Sequence, residues 1–162
     1  MIVLETERLS LRQFSVEDAP FILTLLNEPS FLRYIGDRKV RNVDDAQQYL
    51  LHGPIASYQQ NGFGLYLVEL RESGTSIGMC GLIKRAELQD VDIGFAFLPD
   101  FWKQGFAFEA ATAVMKHGEG TLKLKRIVAI TSLDNDASIK LLQRMGFVFE
   151  DVINLAKDSE QV

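Results

Sequence analysis

The chain is short of the residue types that mark several large protein classes. It has one cysteine in 162 residues, Cys80, so no disulfide can close within it. That thiol lies in the apolar run IGMCGLI, where a small core residue is its expected role. The two histidines, His52 and His117, are far apart and share no metal-ligand spacing with the cysteine, so no metal is expected. No stretch reaches the roughly 18 consecutive apolar residues of a membrane-spanning helix. The acidic opening MIVLETE lacks the apolar region of a secretory leader, which makes the cytoplasm the expected compartment. Lys and Arg are scattered and the net charge is −5, so no footprint for nucleic acid is visible. The 22 acidic residues read first as a solvated surface, with steering of a cationic amine as the alternative. Both common glycine-rich phosphate signatures are also missing: there is no GxGxxG, and no glycine turn ends in Gly-Lys-Ser/Thr.

What is present describes one domain spanning 1–162, with 47% hydrophobic and 24% charged residues, no internal repeat and no linker. RLSLRQF alternates with a period of two, as a half-buried strand does, and Ser15 with Asp18 opens a helix through Ala19, Ile22, Leu23 and Leu26 up to Asn27 and Pro29. Asn42 caps a second helical stretch, VDDAQQYL, interrupted or kinked at Gly53-Pro54 and ended by Asn61-Gly62. GFGLYLVELR, SIGMCGLIKR and VDIGFAFL then read as three consecutive antiparallel strands, joined by the short polar connections ESGT and AELQ. A helix from about 105 to 117 follows, with Gly118 and Gly120 as its expected stops. Next come the short β-branched strand KRIVAIT, a helix capped by Asp134 or Asn135 with the apolar face Ile139, Leu142 and Met145, and a last strand candidate, VFEDVINL.

The most informative stretch is GFAFLPDFWKQGFAFEA, in which a strand breaks at Pro99 and becomes a helix only after Gly105. The first amides of a helix lack intrahelical acceptors, and the aligned peptide dipoles add partial positive charge there. Residues 103–108 would therefore offer an anion cradle. Gly105 permits close approach and positive φ, Ala107 keeps the second turn slim, and Lys103 adds a charge.

Read together with its neighbours, this stretch resembles the GNAT superfamily of acyl-CoA-dependent N-acetyltransferases, in particular its ribosomal-protein N-terminal acetyltransferase branch of RimJ/RimL type. The resemblance runs over most of the chain: ETERLSLRQFSVEDA, IGMCGLI, VDIGFAFLPDFWKQGFAFEA and NDASIKLLQRMGF. It implies an α+β fold, a mixed and mostly antiparallel central sheet splayed between its fourth and fifth strands, with helices on both faces. It implies acetyl-CoA as co-substrate, with the diphosphate on the backbone of Lys103, Gln104, Gly105, Phe106, Ala107 and Phe108. The pantetheine arm would dock on main-chain groups of Phe97 and Leu98 and be reached by Asn135. An amide near Leu98 would serve as oxyanion donor, Ser138 would orient or protonate the sulfur, and Asp92 would accept the proton of the amine. Without the resemblance, Ser138 reads as a first-turn hydroxyl bonded to its own backbone and Asp92 as a structural or surface acid. Glu69 is a further candidate base, and Glu109 is expected to face its own helix terminus.

The acceptor implied is a primary amine on a protein or peptide N-terminus. The alternatives are a small amine, such as an amino-acid derivative, polyamine or antibiotic, and a degenerate CoA-binding module without turnover. Three positions depart from the family pattern. Trp102 stands where Gln or Arg is usual, Phe108 replaces a small hydroxyl residue, and AKDSEQV closes the chain where relatives continue into a final strand. The last implies a sheet edge that is open, covered, or paired with a second copy in a homodimer.

Overall fold

Alternating side chains on three successive strands build the centre of the molecule. The computed structural model describes residues 2–86 and 88–150. Strands β3 (Leu65–Leu70), β4 (Ser76–Ile83) and β5 (Val91–Phe97) pair antiparallel. Their register aligns Leu67, Met79 and Ala96 in one row and Tyr66, Cys80 and Phe95 in the next. Successive side chains point to opposite faces, so the two rows enter two different cores.

The first row is covered by α1 (Ala19–Leu26) and α3 (Val43–Leu50), through Ile22, Leu25, Leu26, Ala46 and Leu50, all essentially buried. The second row lies under α5 (Phe106–Gly120) and α6 (Asp136–Arg144). There Phe106, Ala110, Ala111 and Val114 form one helical stripe, and Leu142 adds to it from α6. Helices thus flank both faces. Burying a Leu- or Ile-sized side chain stabilises by about 1.5–3 kcal/mol, which makes these two cores the main source of stability. Cys80 is wholly buried, and burial pushes its thiol well above the ordinary range, so the expected core role holds.

The sheet has six described strands in the order β1-β2-β3-β4-β5-β6, with β1 at Ile2–Glu5, β2 at Leu9–Gln13 and β6 at Ile127–Ala129. Strand β1 was not expected: IVLE has no alternation, and it becomes a strand by pairing with β2. It shifts the count by one, so the expected splay between the fourth and fifth strands lies between β5 and β6. That pair is the parallel one, and its ladder covers only Val91, Asp92 and Ile93 opposite Ile127, Val128 and Ala129. Beyond it β5 continues to Phe97 beside β4, with no β6 residue on its other edge.

Several local expectations change in detail. Pro29 ends α1 but also starts a short second helix, α2 (Pro29–Tyr34), at the position where its missing N–H costs nothing. The kink at Gly53-Pro54 takes the form of a π turn, Leu51–Ile55, joining α3 to α4 (Ala56–Asn61). Pro54 brings no N–H to the helical ladder, and the widened turn gives its ring room. Helix α5 does not stop at Gly118. A Cβ there would sit 2.8 Å from Ile127 Cδ1 and 3.2 Å from Leu82 Cδ1, so this glycine lets the helix lie close against the sheet. Asn135, not Asp134, caps α6 by accepting the Ser138 N–H at 3.3 Å. Most of VFEDVINL lies outside the described residues; its first three, 148–150, are not in a strand.

Candidate active site

Between β5 and α5 the chain makes a single helical turn, Pro99–Phe101, and then an exposed loop to Gly105. Trp102 fastens this turn to the strand, because its indole N–H donates to the Phe97 carbonyl at 2.8 Å. Phe101 packs on Phe106 with ring centroids 6.4 Å apart. Gly105 is the residue before the helix, with φ of 82°. Lys103 is also left-handed, with φ of 62°. The first intrahelical bond runs from the Glu109 N–H to the Gly105 carbonyl at 3.0 Å. The N–H groups of Gly105, Phe106, Ala107 and Phe108 therefore precede the helical ladder, and no described residue supplies them with an acceptor. They form one outward-facing cluster at the positive end of the helix dipole.

Three cations surround this cluster. Lys103 is exposed in the turn itself. Arg8 donates to the Gln104 carbonyl at 2.9 Å, lies over the Phe106 ring at 4.3 Å, and pairs with Glu109 at 2.7 Å. Arg144, from the last turn of α6, lies 4.4 Å above the centre of the Phe108 ring. Gln104 itself braces the turn through its side-chain amide, which donates to the Asp100 carbonyl. Glu109 faces Thr6 and Arg8 on the neighbouring strand end rather than its own helix terminus alone. Burial alone would raise its carboxyl, but the hydrogen bonds from Thr6 and Arg8 more than reverse this and hold it below the ordinary value.

The gap between β5 and β6 leads inward from this turn. The Leu98 N–H donates to the Ile77 carbonyl at 2.9 Å, so by the two-residue alternation of an antiparallel pair the main-chain groups of Leu98 and Ala96 face β4. Those of Phe95 and Phe97 face the other way, where β6 has already ended. This corrects the role given to Leu98: its N–H belongs to Ile77 and its carbonyl accepts from Phe101 at 3.0 Å. With the Phe97 carbonyl already bound by Trp102, the groups that face the gap are the Phe97 N–H and both groups of Phe95. Phe95 was missed, although a period of two along VDIGFAFL places it on the same edge as Phe97.

A cavity of about 560 Å³ occupies the inner part of the gap. One wall is Ile93, Gly94 and Phe95 on β5, with Ala129, Ile130 and Thr131 opposite. Asn135 and Ser138 reach it from α6, and Asp92 from β5. The other side is built by Phe31, Tyr34, Tyr49, His52 and Pro54, from α2 and the kinked helix. Three residues singled out from the sequence, Asp92, Asn135 and Ser138, thus meet in one cavity. The turn at 103–108 does not line it and stands apart as a second element.

Inside the cavity, Asp92 is 1% exposed and forms an ion pair with Arg85 at 3.1 Å, so the solvent-exposed reading of this acid does not apply. Asn135 spends its side-chain oxygen on the α6 cap, leaving its two N–H donors. The Ser138 hydroxyl makes no hydrogen bond to a described residue, so the back-bonded reading of that group is not observed. Glu69 lies outside the cavity, paired with Arg12 at 3.3 Å. Tyr34 does line it, beneath the Arg33 guanidinium at 4.9 Å. His52 was missed as a site residue. It sits on the π turn with Nδ1 3.0 Å from the Gln48 carbonyl, so a neutral ring donating there presents Nε2 as an acceptor. The Gly53-Pro54 break was its available signal, since π turns often occur at functional sites.

A six-stranded, mostly antiparallel sheet that opens between its last two strands, with a glycine turn leading into a helix at the opening, defines the N-acyltransferase class of fold. The acetyltransferase (GNAT) domain family matches residues 8–148. YoaA of Bacillus subtilis (strain 168), described as an uncharacterized N-acetyltransferase, is 33% identical over 152 residues, covering 93% of this chain and 85% of YoaA. An acetyltransferase from Agrobacterium tumefaciens str. C58 superposes with a TM-score of 0.81 at 25% identity, over 99% of this chain and 91% of its own. RimL, a ribosomal L7/L12 α-N-protein acetyltransferase solved with coenzyme A, shares the fold with a TM-score of 0.83 at 20% identity, over 97% of this chain and 89% of RimL. The chain belongs to the GNAT acetyltransferase family. It is an acetyl-CoA-dependent acyltransferase, and its structural neighbours include the RimJ/RimL group. Among the described residues, no helix is long and apolar enough to cross a membrane.

Proposed function

We propose that the chain transfers the acetyl group of acetyl-CoA to the amine of a protein or peptide N-terminus, by direct attack in a ternary complex. The observation that carries this reading is that strand β5 and the helix after it bear three elements in succession: the cavity holding Asp92 and Ser138, the free strand edge at Phe95 and Phe97, and the amide cluster at 105–108. Each element suits one part of the co-substrate. Unpaired amides at a helix start suit a diphosphate. An open strand edge suits the amide-rich pantetheine arm, as it would suit an added peptide strand. Asn135 offers its side-chain N–H groups to the same arm. Where the family usually has a hydroxyl, Phe108 instead carries Arg144 on its ring, and this cation replaces the missing phosphate contact.

The chemistry then needs little from dedicated groups. The amine lone pair attacks the thioester carbonyl, the C–S bond breaks from the tetrahedral adduct, and the thiolate takes a proton relayed through the Ser138 hydroxyl, which is reprotonated at the same time by water. The proton lost by the amine passes to Asp92, directly or through water. The Phe97 N–H, now in place of the Leu98 amide, is the main-chain donor for the oxyanion. Holding amine and thioester in register supplies a large part of the acceleration by itself. A peptide N-terminus is the preferred acceptor because RimL, which shares the fold, acts on the N-terminus of ribosomal L7/L12.

A thiol-release assay with acetyl-CoA and a panel of peptides and small amines tests this, with intact-mass detection of one added acetyl group on the acceptor. Release with a peptide and none with small amines supports the reading. Bound coenzyme A without release from any amine would sink it in favour of a binding module.

A further inference from the structure

We propose that the acceptor carries a carboxylate close to its reacting amine, and that Arg38, with Lys84 and Arg85 behind it, recognises this anion. The inference rests on the acetyltransferase reading of the cavity. The chain as a whole is acidic, with 22 Asp and Glu against 17 Lys and Arg. The cavity has the opposite sign: among the described residues its ionisable lining comprises Arg38, Lys84 and Arg85 against Asp92, besides His52 and two tyrosines. Three described acids that lie near lining residues in sequence are paired with arginines outside the lining. Asp37 binds Arg41 at 2.5 Å, Asp90 binds Arg126 at 3.3 Å, and Asp134 binds Arg33 at 3.6 Å.

Arg85 and Asp92 balance each other in their ion pair. Lys84 donates to the carbonyls of Leu88 at 2.9 Å and Gln89 at 3.2 Å, which orient its ammonium without cancelling its charge. Arg38 forms no ion pair with a described residue. Among the described residues, two positive charges are therefore left facing one concavity, whose low-dielectric walls focus their field. Tyr49 reports the same field. Burial pushes its phenol up, and the positive charges of Arg38 and Arg85 oppose that shift.

The phosphates of the carrier are not what these cations serve, because the turn at 103–108 contributes no residue to the cavity. The end of the carrier that reaches Ser138 is an uncharged thioester. The anion must then belong to the acceptor. The arrangement also suits the chemistry: nearby positive charge disfavours an ammonium and so favours the neutral, nucleophilic amine, while a carboxylate on the same molecule offsets the repulsion that would otherwise prevent binding.

Matched acceptors test this in the full chain with acetyl-CoA. One pair is a tripeptide amide with aspartate at its first residue against the same peptide with asparagine. The other is a free α-amino acid against its amide. The expected result is a kcat/KM at least about tenfold higher for the carboxylate member of one pair, which also tells a peptide acceptor from a free amino acid. Arg38→Gln should cut that ratio to within about twofold, with an unchanged melting temperature because Arg38 is exposed. Lys84→Gln is a second variant expected to shrink the ratio. Equal rates for both members of each pair, or a ratio untouched by Arg38→Gln, would overturn the inference while leaving acetyl transfer intact. Failure of every amine to release thiol from a protein that still binds coenzyme A would remove the acetyltransferase reading and this inference with it.

Discussion

Under the function proposed above, the turn at 103–108 and the cavity between β5 and β6 would recognise their ligands by different means. The turn works through the backbone: four amides ahead of the first helical bond, aimed by one left-handed glycine. The cavity works through side chains brought from α2, the loop after it, the π turn, the loop after β4, β5 and α6. Backbone recognition tolerates almost any side chain provided the turn is kept. Side-chain recognition depends on individual residues, so under the proposed function the cavity is where the acceptor would be chosen.

The largest expected effect strikes the turn. Gly105→Val puts a β-branched residue at φ of 82° and a Cβ about 3.3 Å from Arg8 Nη2, so the amides must move. Calorimetry should show coenzyme A affinity lower by at least about a hundredfold with the secondary structure retained, because each misplaced charge-assisted hydrogen bond is costly. Undiminished affinity would break the comparison. On the cavity side, Asp92→Asn removes both the proposed proton acceptor and the partner of Arg85. It should lower kcat by about 10²-fold while coenzyme A affinity stays within about twofold, read by thiol release beside calorimetry.

Arg144→Gln tests a cation that serves the turn from a distant helix. It should raise KM for acetyl-CoA by about five- to tenfold and leave the acceptor KM alone. A change in acceptor KM would place Arg144 with the cavity instead. The smallest effect concerns Glu109, whose hydrogen bonds with Thr6 and Arg8 tie the turn to β2. Its carboxyl is held below the ordinary 4.5, so it adds stability above that pH and loses it as pH falls through the lowered value. Wild type should therefore melt no more than about 4 °C above Glu109→Gln at neutral pH, since Arg8 is partly exposed, and the gap should close below pH 4.5.

The same division explains how much could be read before the fold was seen. The turn was legible because its parts are contiguous: Pro99, Gly105 and Ala107 lie within nine residues, and helix-start physics is local. The three-strand centre and the helices on its two faces were legible from periodicity. Strand β1 was not, because IVLE gains its conformation from pairing with β2 rather than from its own pattern. The error at Leu98 was one of phase: nothing in FAFLP says which alternate carbonyls face the gap until the Leu98–Ile77 bond fixes it. Arg38 gave no local sign of facing Asp92 across a cavity, and the Gly53-Pro54 break beside His52 marked a special turn without saying what it faces, since only the folding of α2 and the kinked helix over β5 brings them there.

Strand β6 meets the rest of the sheet along three residue pairs, and α6, with Asn135 and Ser138, hangs from that strand. A carrier lying along Phe95 and Phe97 would act as the missing continuation of this short ladder, so the C-terminal half of the site would be welded to the N-terminal half by its own substrate. Saturating coenzyme A should accordingly slow amide exchange at Val128 and Ile139, far from the phosphates, beyond what a ligand held at the helix start alone would achieve.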